Sequence, residues 1–175
     1  MRYVSLLRGI NVGGNTMVKM SELKSTFEKL GFKDVVSYIN SGNLAFDAMK
    51  TSDDKLTRTI EEAIEKDFGL KIQVMVREQA AIHEVLANNP FEGRFESHKE
   101  MHVLFMKDEM VKEKRDELMQ KNSDTEQFAV SGREIYALLK QGVAESLLGK
   151  GYIEKKLNVP ITARNWRTVR KLVEL

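Results

Sequence analysis

The first residues with the makings of chemistry are Arg8-Gly9-Ile10-Asn11-Val12-Gly13-Gly14: a guanidinium, a carboxamide and three glycines within seven positions. They follow an apolar run, Tyr3–Leu7, and precede a helix-like pattern that starts near Ser21. The connection between them is long, because a strand-to-helix connection usually takes only about 2–6 residues. Glycines permit positive φ and close backbone approach. Successive N–H groups in such a loop form an anion nest, and the following helix adds its positive end. Arg8 and Lys19 would supply full charges. The loop is no Walker A sequence, and Gly9, Gly13 and Gly14 do not have the dinucleotide spacing G-x-G-x-x-G. Two readings stay open: a structural loop whose glycines satisfy awkward turns, or an anion or ligand site.

A second segment is Thr162-Ala163-Arg164-Asn165-Trp166-Arg167-Thr168-Val169-Arg170-Lys171-Leu172. Read as a helix capped by Thr162, it puts Trp166, Val169 and Val173 on one apolar stripe. Arg164, Arg167 and Lys171 then lie on a second face. In that reading Arg164 and Arg167 sit near the helix start, where each like charge costs about 0.3–1 kcal/mol. Internal carboxylates or an anionic ligand would offset that cost. A third segment, Asn40-Ser41-Gly42-Asn43, is explained by a turn, and its amides and hydroxyl could also touch a ligand. His98 and His102 share an i, i+4 spacing near Glu96 and Glu100, but no third ligand is evident and no metal site is expected. Ser41 lacks the G-x-S-x-G setting of an activated nucleophile, and no triad can be assembled.

These segments need elements to hold them. The chain has 175 residues, 42% hydrophobic, enough for one domain or two small ones, with no need of a disulfide or metal. It has no cysteine, which excludes disulfides, thiolate metal sites and a cysteine nucleophile. No apolar run approaches the roughly 20 residues that span a bilayer. Met1-Arg2 leads into a strand pattern too short for a secretory h-region, so a soluble cytoplasmic protein without membrane contact is expected. The net charge is +2, concentrated in a basic stretch from Lys150 onward, which suggests an anionic partner.

Strand Tyr3–Leu7, a helix from Ser21, strands Val35–Ile39 and Leu44–Phe46, a helix after Ser52 ended by Gly69, and an alternating strand Ile72–Val76 give the order βαββαβ. After a linking helix, Glu78–Asn88, the order begins again with strand Met101–Met106, a charged helix from Asp108, and strands Glu126–Val130 and Glu134–Leu139 around Ser131-Gly132. Helical pieces follow. The expectation is an α+β chain of two ferredoxin-like (βαββαβ-type) halves, 1–88 and 98–175, joined by a linker at 89–97 whose Phe91 and Phe95 pack.

Taken together, L-L-R-G-I-N-V-G-G with Val18, Met20 and Leu23, then Y-I-N-S-G-N-L-x-F at 38–46, then T-A-R-N-W-R-T-V-x-K-L at 162–172, resemble the bacterial domain-of-unknown-function 1697 family. The resemblance covers nearly the whole chain. It implies a cytosolic α+β protein of two ferredoxin-like halves and implies no activity. It marks Arg8, Gly9, Asn11, Gly13, Gly14, Ser41, Gly42, Asn43, Arg164, Asn165, Trp166 and Arg167 as signature positions. Asn40 and Ala163 stand where the family often has glutamine and threonine.

The function expected from these residues is binding of an anionic small molecule or nucleotide. The polar cleft would be formed by the RGINVGG loop and the ARNWR helix start, with Arg8, Asn11, Gly13, Gly14, Ser41, Asn43, Arg164, Asn165 and Arg167 as ligand-binding groups. Alternatives are a scaffold or homo-oligomer module, or an RNA-binding module, although the aromatic-rich strand of RNA-recognition sheets is missing. No general base can be named, so enzymatic activity, cofactor and oligomeric state are left open.

Overall fold

The structure, a computed structural model, describes residues 1–175. The chain divides into two compact units, Met1–Glu84 with Lys171–Leu175, and Val85–Arg170. Each is α+β and each holds one four-stranded antiparallel sheet.

In the first unit the elements are β1 (Arg2–Leu7), α1 (Met20–Lys29), β2 (Lys33–Tyr38), β3 (Asn43–Asp47), α2 (Asp53–Phe68), β4 (Val74–Glu78) and the start of α3 (Gln79–Ala87). The strand order is β2-β3-β1-β4. Alternation along β1 sends Tyr3 and Leu7 into a core with Leu44, Phe46, Val74 and Val76, covered by Leu23 and Phe27 of α1 and Leu56, Ile60 and Ile64 of α2. Phe27, Phe32 and Phe46 stack and meet edge-on there. The sequence signals that end α2 are the ones used: Ser52 accepts the Lys55 N–H, and Gly69 adopts φ 67°. Helix α1 begins at Met20, one residue before the expected start at Ser21. Lys19, not Ser21, is the N-cap, with no side-chain cap bond. The last five residues join this unit because Gln79 Nε2 donates to the carbonyls of Leu172 and Leu175, and Arg2 Nε donates to Leu175.

In the second unit β5 (Met101–Met106), α4 (Lys112–Met119), β6 (Glu126–Ser131) and β7 (Glu134–Leu139) are followed by a π-helical turn (Tyr152–Lys156), β8 (Ile161–Asn165) and α5 (Trp166–Leu172). The strand order, β6-β7-β5-β8, repeats that of the first sheet. Leu104, Met106, Phe128, Ile135, Leu139, Ile153, Leu157 and Ile161 form the core.

The helix expected to run from Thr162 is corrected here. Residues 161–165 pair with β5, Val103 opposite Arg164 and Phe105 opposite Thr162, and helix begins only at Trp166. The reason is the ladder: the second sheet needs a fourth strand, and ITARN supplies period-2 alternation just long enough to pair. Asn165 is the residue that caps α5, its Oδ1 accepting the Thr168 N–H at 3.0 Å. Phe91 is buried and Phe95 meets Trp166 edge-on, so the residues around them pack as expected. His98 lies in a turn before β5, so it shares no strand face with His102.

Candidate functional site

Two loops of the first unit come together at one end of its sheet. The longer runs from Arg8 to Lys19. Its base is fixed by Ile10 and Val18, both in the core, and by backbone bonds from Arg8 N–H to Gln73 and from Asn11 N–H to Thr16. Its tip is a tight turn, with Asn15 N–H donating to the Val12 carbonyl at 3.1 Å. Gly13 and Gly14 at φ 60° and 76° make that turn possible. Residues 12–17 are all exposed.

Asn11 couples the loop to its neighbour. It holds φ 54°, a left-handed conformation that asparagine tolerates. Its Nδ2 donates to the carbonyls of Val18 (2.9 Å) and Asn40 (2.7 Å), and its Oδ1 accepts the Val18 N–H (2.8 Å). One carboxamide therefore closes the long loop on itself and ties it to the turn at Asn40. Asn11→Ala is expected to destabilise the chain by about 2–4 kcal/mol, taking roughly 0.5–1.5 for each of the bonds lost. Urea unfolding measures that, and amide exchange should show protection lost at Val18. Unchanged protection there would contradict the latch.

The second loop, Ile39–Gly42, is built as tightly. Asn43, fully buried, donates from Nδ2 to the Tyr38 carbonyl (3.0 Å) and to Ser41 Oγ (2.9 Å). Gly42 sits at φ 82°, and a Cβ there would lie 2.7 Å from Leu7 Cβ and 2.9 Å from Ile10 Cδ1. Ile39 is 51% exposed and holds φ 50°. A β-branched side chain in the left-handed region costs about 1–3 kcal/mol and persists only where the surroundings enforce it.

The surface that results is mixed. Arg8 and Lys19 bring two cations, and no acid occurs between them. Arg8 Nη1 donates to Gln73 Oε1 at 3.5 Å, and Lys19 Nζ lies 3.8 Å from Glu22. The N-terminus of α1 begins at Lys19 with no side-chain cap. Beside these charges stand the exposed apolar groups Val12 (63%), Met17 (68%) and Ile39 (51%). Composition and periodicity gave no warning of that apolar rim.

The second unit's predicted residues have separate occupations. Arg164 is buried on β8, where Nη1 donates to Thr162 Oγ1 (2.7 Å) and to the Ala163 carbonyl (2.9 Å). Burial pulls its guanidinium down to about 10. Asn165 caps α5. Arg167 is exposed, with Nη2 3.3 Å from His98 Nδ1, which must be the acceptor because a guanidinium has no lone pair to offer. His102 is buried with Nδ1 unpartnered, and desolvation, with a smaller effect of His98, lowers it to about 4.

A family model described as "Protein of unknown function (DUF1697)" matches residues 1–136, which include both loops of the first unit. The chain belongs to this family. The match takes in Arg8, Gly9, Asn11, Gly13, Gly14, Ser41, Gly42 and Asn43, and ends before Arg164. Among solved structures the chain is similar to the conserved bacterial protein SP0830 from Streptococcus pneumoniae, at 27% identity and a TM-score of 0.76, over 99% of this chain and 97% of that one. Among curated proteins no match is found. No helix is long and apolar enough to cross a membrane.

Proposed function

We propose that the first unit binds an anionic small molecule, best a nucleotide, on the paired loops Arg8–Lys19 and Ile39–Asn43. The observation that carries this reading is the Asn11 side chain, which ties the glycine loop to the Asn40 turn through its bonds to Val18 and Asn40. Binding sites gain affinity from such preorganisation. Arg8 and Lys19 hold the phosphates, the amides of Gly13 and Gly14 and the uncapped start of α1 donate to them, and Ser41 supplies a hydroxyl. Val12, Met17 and Ile39 favour a nucleotide over a bare anion, because a base offers an apolar face beside its charge. Asn11 and Asn43 act through the loops they brace. The reading is confined to the first unit, because Arg164 and Asn165 already serve β8 and α5.

We also infer that both units are ferredoxin-like. The element order βαββαβ with strand order β2-β3-β1-β4 supports this for the first, and the repeated order β6-β7-β5-β8 supports it for the second, with the π-helical turn standing in for a second helix.

A thermal-shift comparison of adenosine and guanosine diphosphates with inorganic pyrophosphate tests the binding. A nucleotide at about a hundred times its Kd stabilises by roughly 2.7 kcal/mol, raising Tm by about 5–10 °C for a chain of this size. The Arg8→Ala protein, folded as judged by circular dichroism, should show no shift. An equal shift in Arg8→Ala, or none in the parent protein, would count against the site.

A further inference from the structure

The second unit carries a basic face that the loops above do not use. It is built by α4, the residue Lys121 just after it, and the π-helical turn. Three contacts hold these together: the Tyr152 hydroxyl donates to Glu117 Oε1 at 2.9 Å, Lys121 Nζ lies 5.4 Å from the centre of the Tyr152 ring, and Lys114 Nζ donates to the Asn158 carbonyl at 3.4 Å. Lys150, Lys155 and Lys156 extend the charge along the turn, and with Lys121 all are exposed.

The wide turn explains why the charge points outward. Leu157 N–H reaches back five residues to the Tyr152 carbonyl, so Ile153 and Leu157 both enter the core while Lys155 and Lys156 stay in solvent. Gly151, at φ 74°, lets the chain enter this geometry. Such π-helical turns are rare and recur at functional sites. Four acids temper the face: Glu117 accepts the Tyr152 hydroxyl, Glu154 is half-buried, Asp116 pairs with Lys112 of its own helix, and Glu113 is exposed on α4.

We propose that this face docks single-stranded RNA, its phosphates along Lys114, Lys121, Lys155 and Lys156 and one base taking the place of the Lys121 ammonium over the Tyr152 ring, whose remaining contacts are with the core. A half-exposed ring between lysines from two elements matches a polymer in which each flat base is flanked by phosphates. An acidic peptide would use the lysines and leave the ring idle. Stacking on an aromatic side chain tolerates any base, so the expected preference is for single strands rather than for a sequence.

Fluorescence anisotropy with a labelled oligouridylate of about 12 nucleotides, within the usual range of site sizes, reads the interaction. Engaging four phosphates gives a log–log salt slope of about −3. Lys155→Glu with Lys156→Glu should weaken binding by roughly tenfold or more. Tyr152→Ala should weaken it by about tenfold, while Tyr152→Phe, which keeps the ring, binds as the parent does. Arg8→Ala should give the parent isotherm, which separates this face from the first unit's loops. Circular dichroism confirms that each variant is folded. Absence of saturable binding at low salt, binding indifferent to the lysine reversals, or equal capture of polyglutamate with no effect of Tyr152→Ala would each overturn the proposal, the last in favour of an acidic protein partner.

Discussion

Gly42→Ala is expected to destabilise the protein by roughly 2–5 kcal/mol, combining about 1–3 for overpacking with about 1–2 for the left-handed backbone. The added methyl would meet Leu7 Cβ at 2.7 Å and Ile10 Cδ1 at 2.9 Å, atoms in the interior of the first unit. Neither can swing aside: Leu7 lies on β1, with its N–H donating to the Gly42 carbonyl at 2.8 Å, and Ile10 is only 1% exposed. The second unit offers an internal control. Gly132 occupies the matching Ser-Gly turn at φ 55°, but the nearest atom to its added Cβ is Glu134 Oε2 at 3.9 Å. Gly132→Ala should therefore cost only the backbone share, about 1–2 kcal/mol. Urea unfolding of the two variants distinguishes them. Equal losses would mean that the first turn is not held by contact with Leu7 and Ile10.

The second large effect is on pH. Folded His102 titrates near 4 because burial penalises its charged form, with His98 adding a smaller repulsion, whereas an unfolded histidine titrates near 6.5. Above 6.5 both states are neutral and the full stability is present. As pH falls below 6.5 the unfolded chain takes up a proton that the folded chain refuses until about 4, so stability is lost through that interval. The loss amounts to about 3 kcal/mol, at 1.36 kcal/mol per unit. Glu100, held below its ordinary value near 4.5 by the amides of Ser97 and Glu96, loses its contribution only from about 4.5 downward and so overlaps just the foot of the His102 window, while His98, lowered by desolvation and by Arg167 and Lys99, adds a slope of its own below 6.5. His102→Leu should remove the larger part of the slope between pH 6.5 and about 4.5 and leave the His98 share and the acid limb. An unchanged slope would assign it to other groups.

What the sequence made legible depended on whether a local signal agreed with the tertiary demand. Around α2 it did: Ser52, the stripe Leu56, Ile60 and Ile64, and Gly69 all mean the same thing locally and in the fold. The Asn40–Asn43 turn is similar, since Gly42 is needed both for its φ and for space. ITARN failed because its five residues are too few for alternation to outweigh the helical spacing of Trp166 and Val169 that follows. A charged residue also reads as exposed, yet Arg164 lies buried within β8. The attachment of Lys171–Leu175 to the first unit was equally hidden, since it rests on Gln79 and Arg2 bonding to backbone carbonyls that every residue possesses.

At the candidate site the types of residue were readable and their roles were not. Asn11 reads as a ligand group in the sequence, and in the structure its side chain braces the loop. Asn165 looked the same and caps a helix. The exposed Val12, Met17 and Ile39, and the strain at Ile39, left no periodic or compositional trace because each depends on where a loop points.

The measurement that bears most directly on the account is a backbone amide NMR titration of the whole chain with adenosine or guanosine diphosphate. A nucleotide site on the paired loops predicts saturable shifts at Gly13, Gly14, Lys19, Met20 and Ser41, absent in the Arg8→Ala protein. If at millimolar nucleotide these amides stay still while the spectrum remains that of a folded chain, the loops are structural and the first unit is not the nucleotide site.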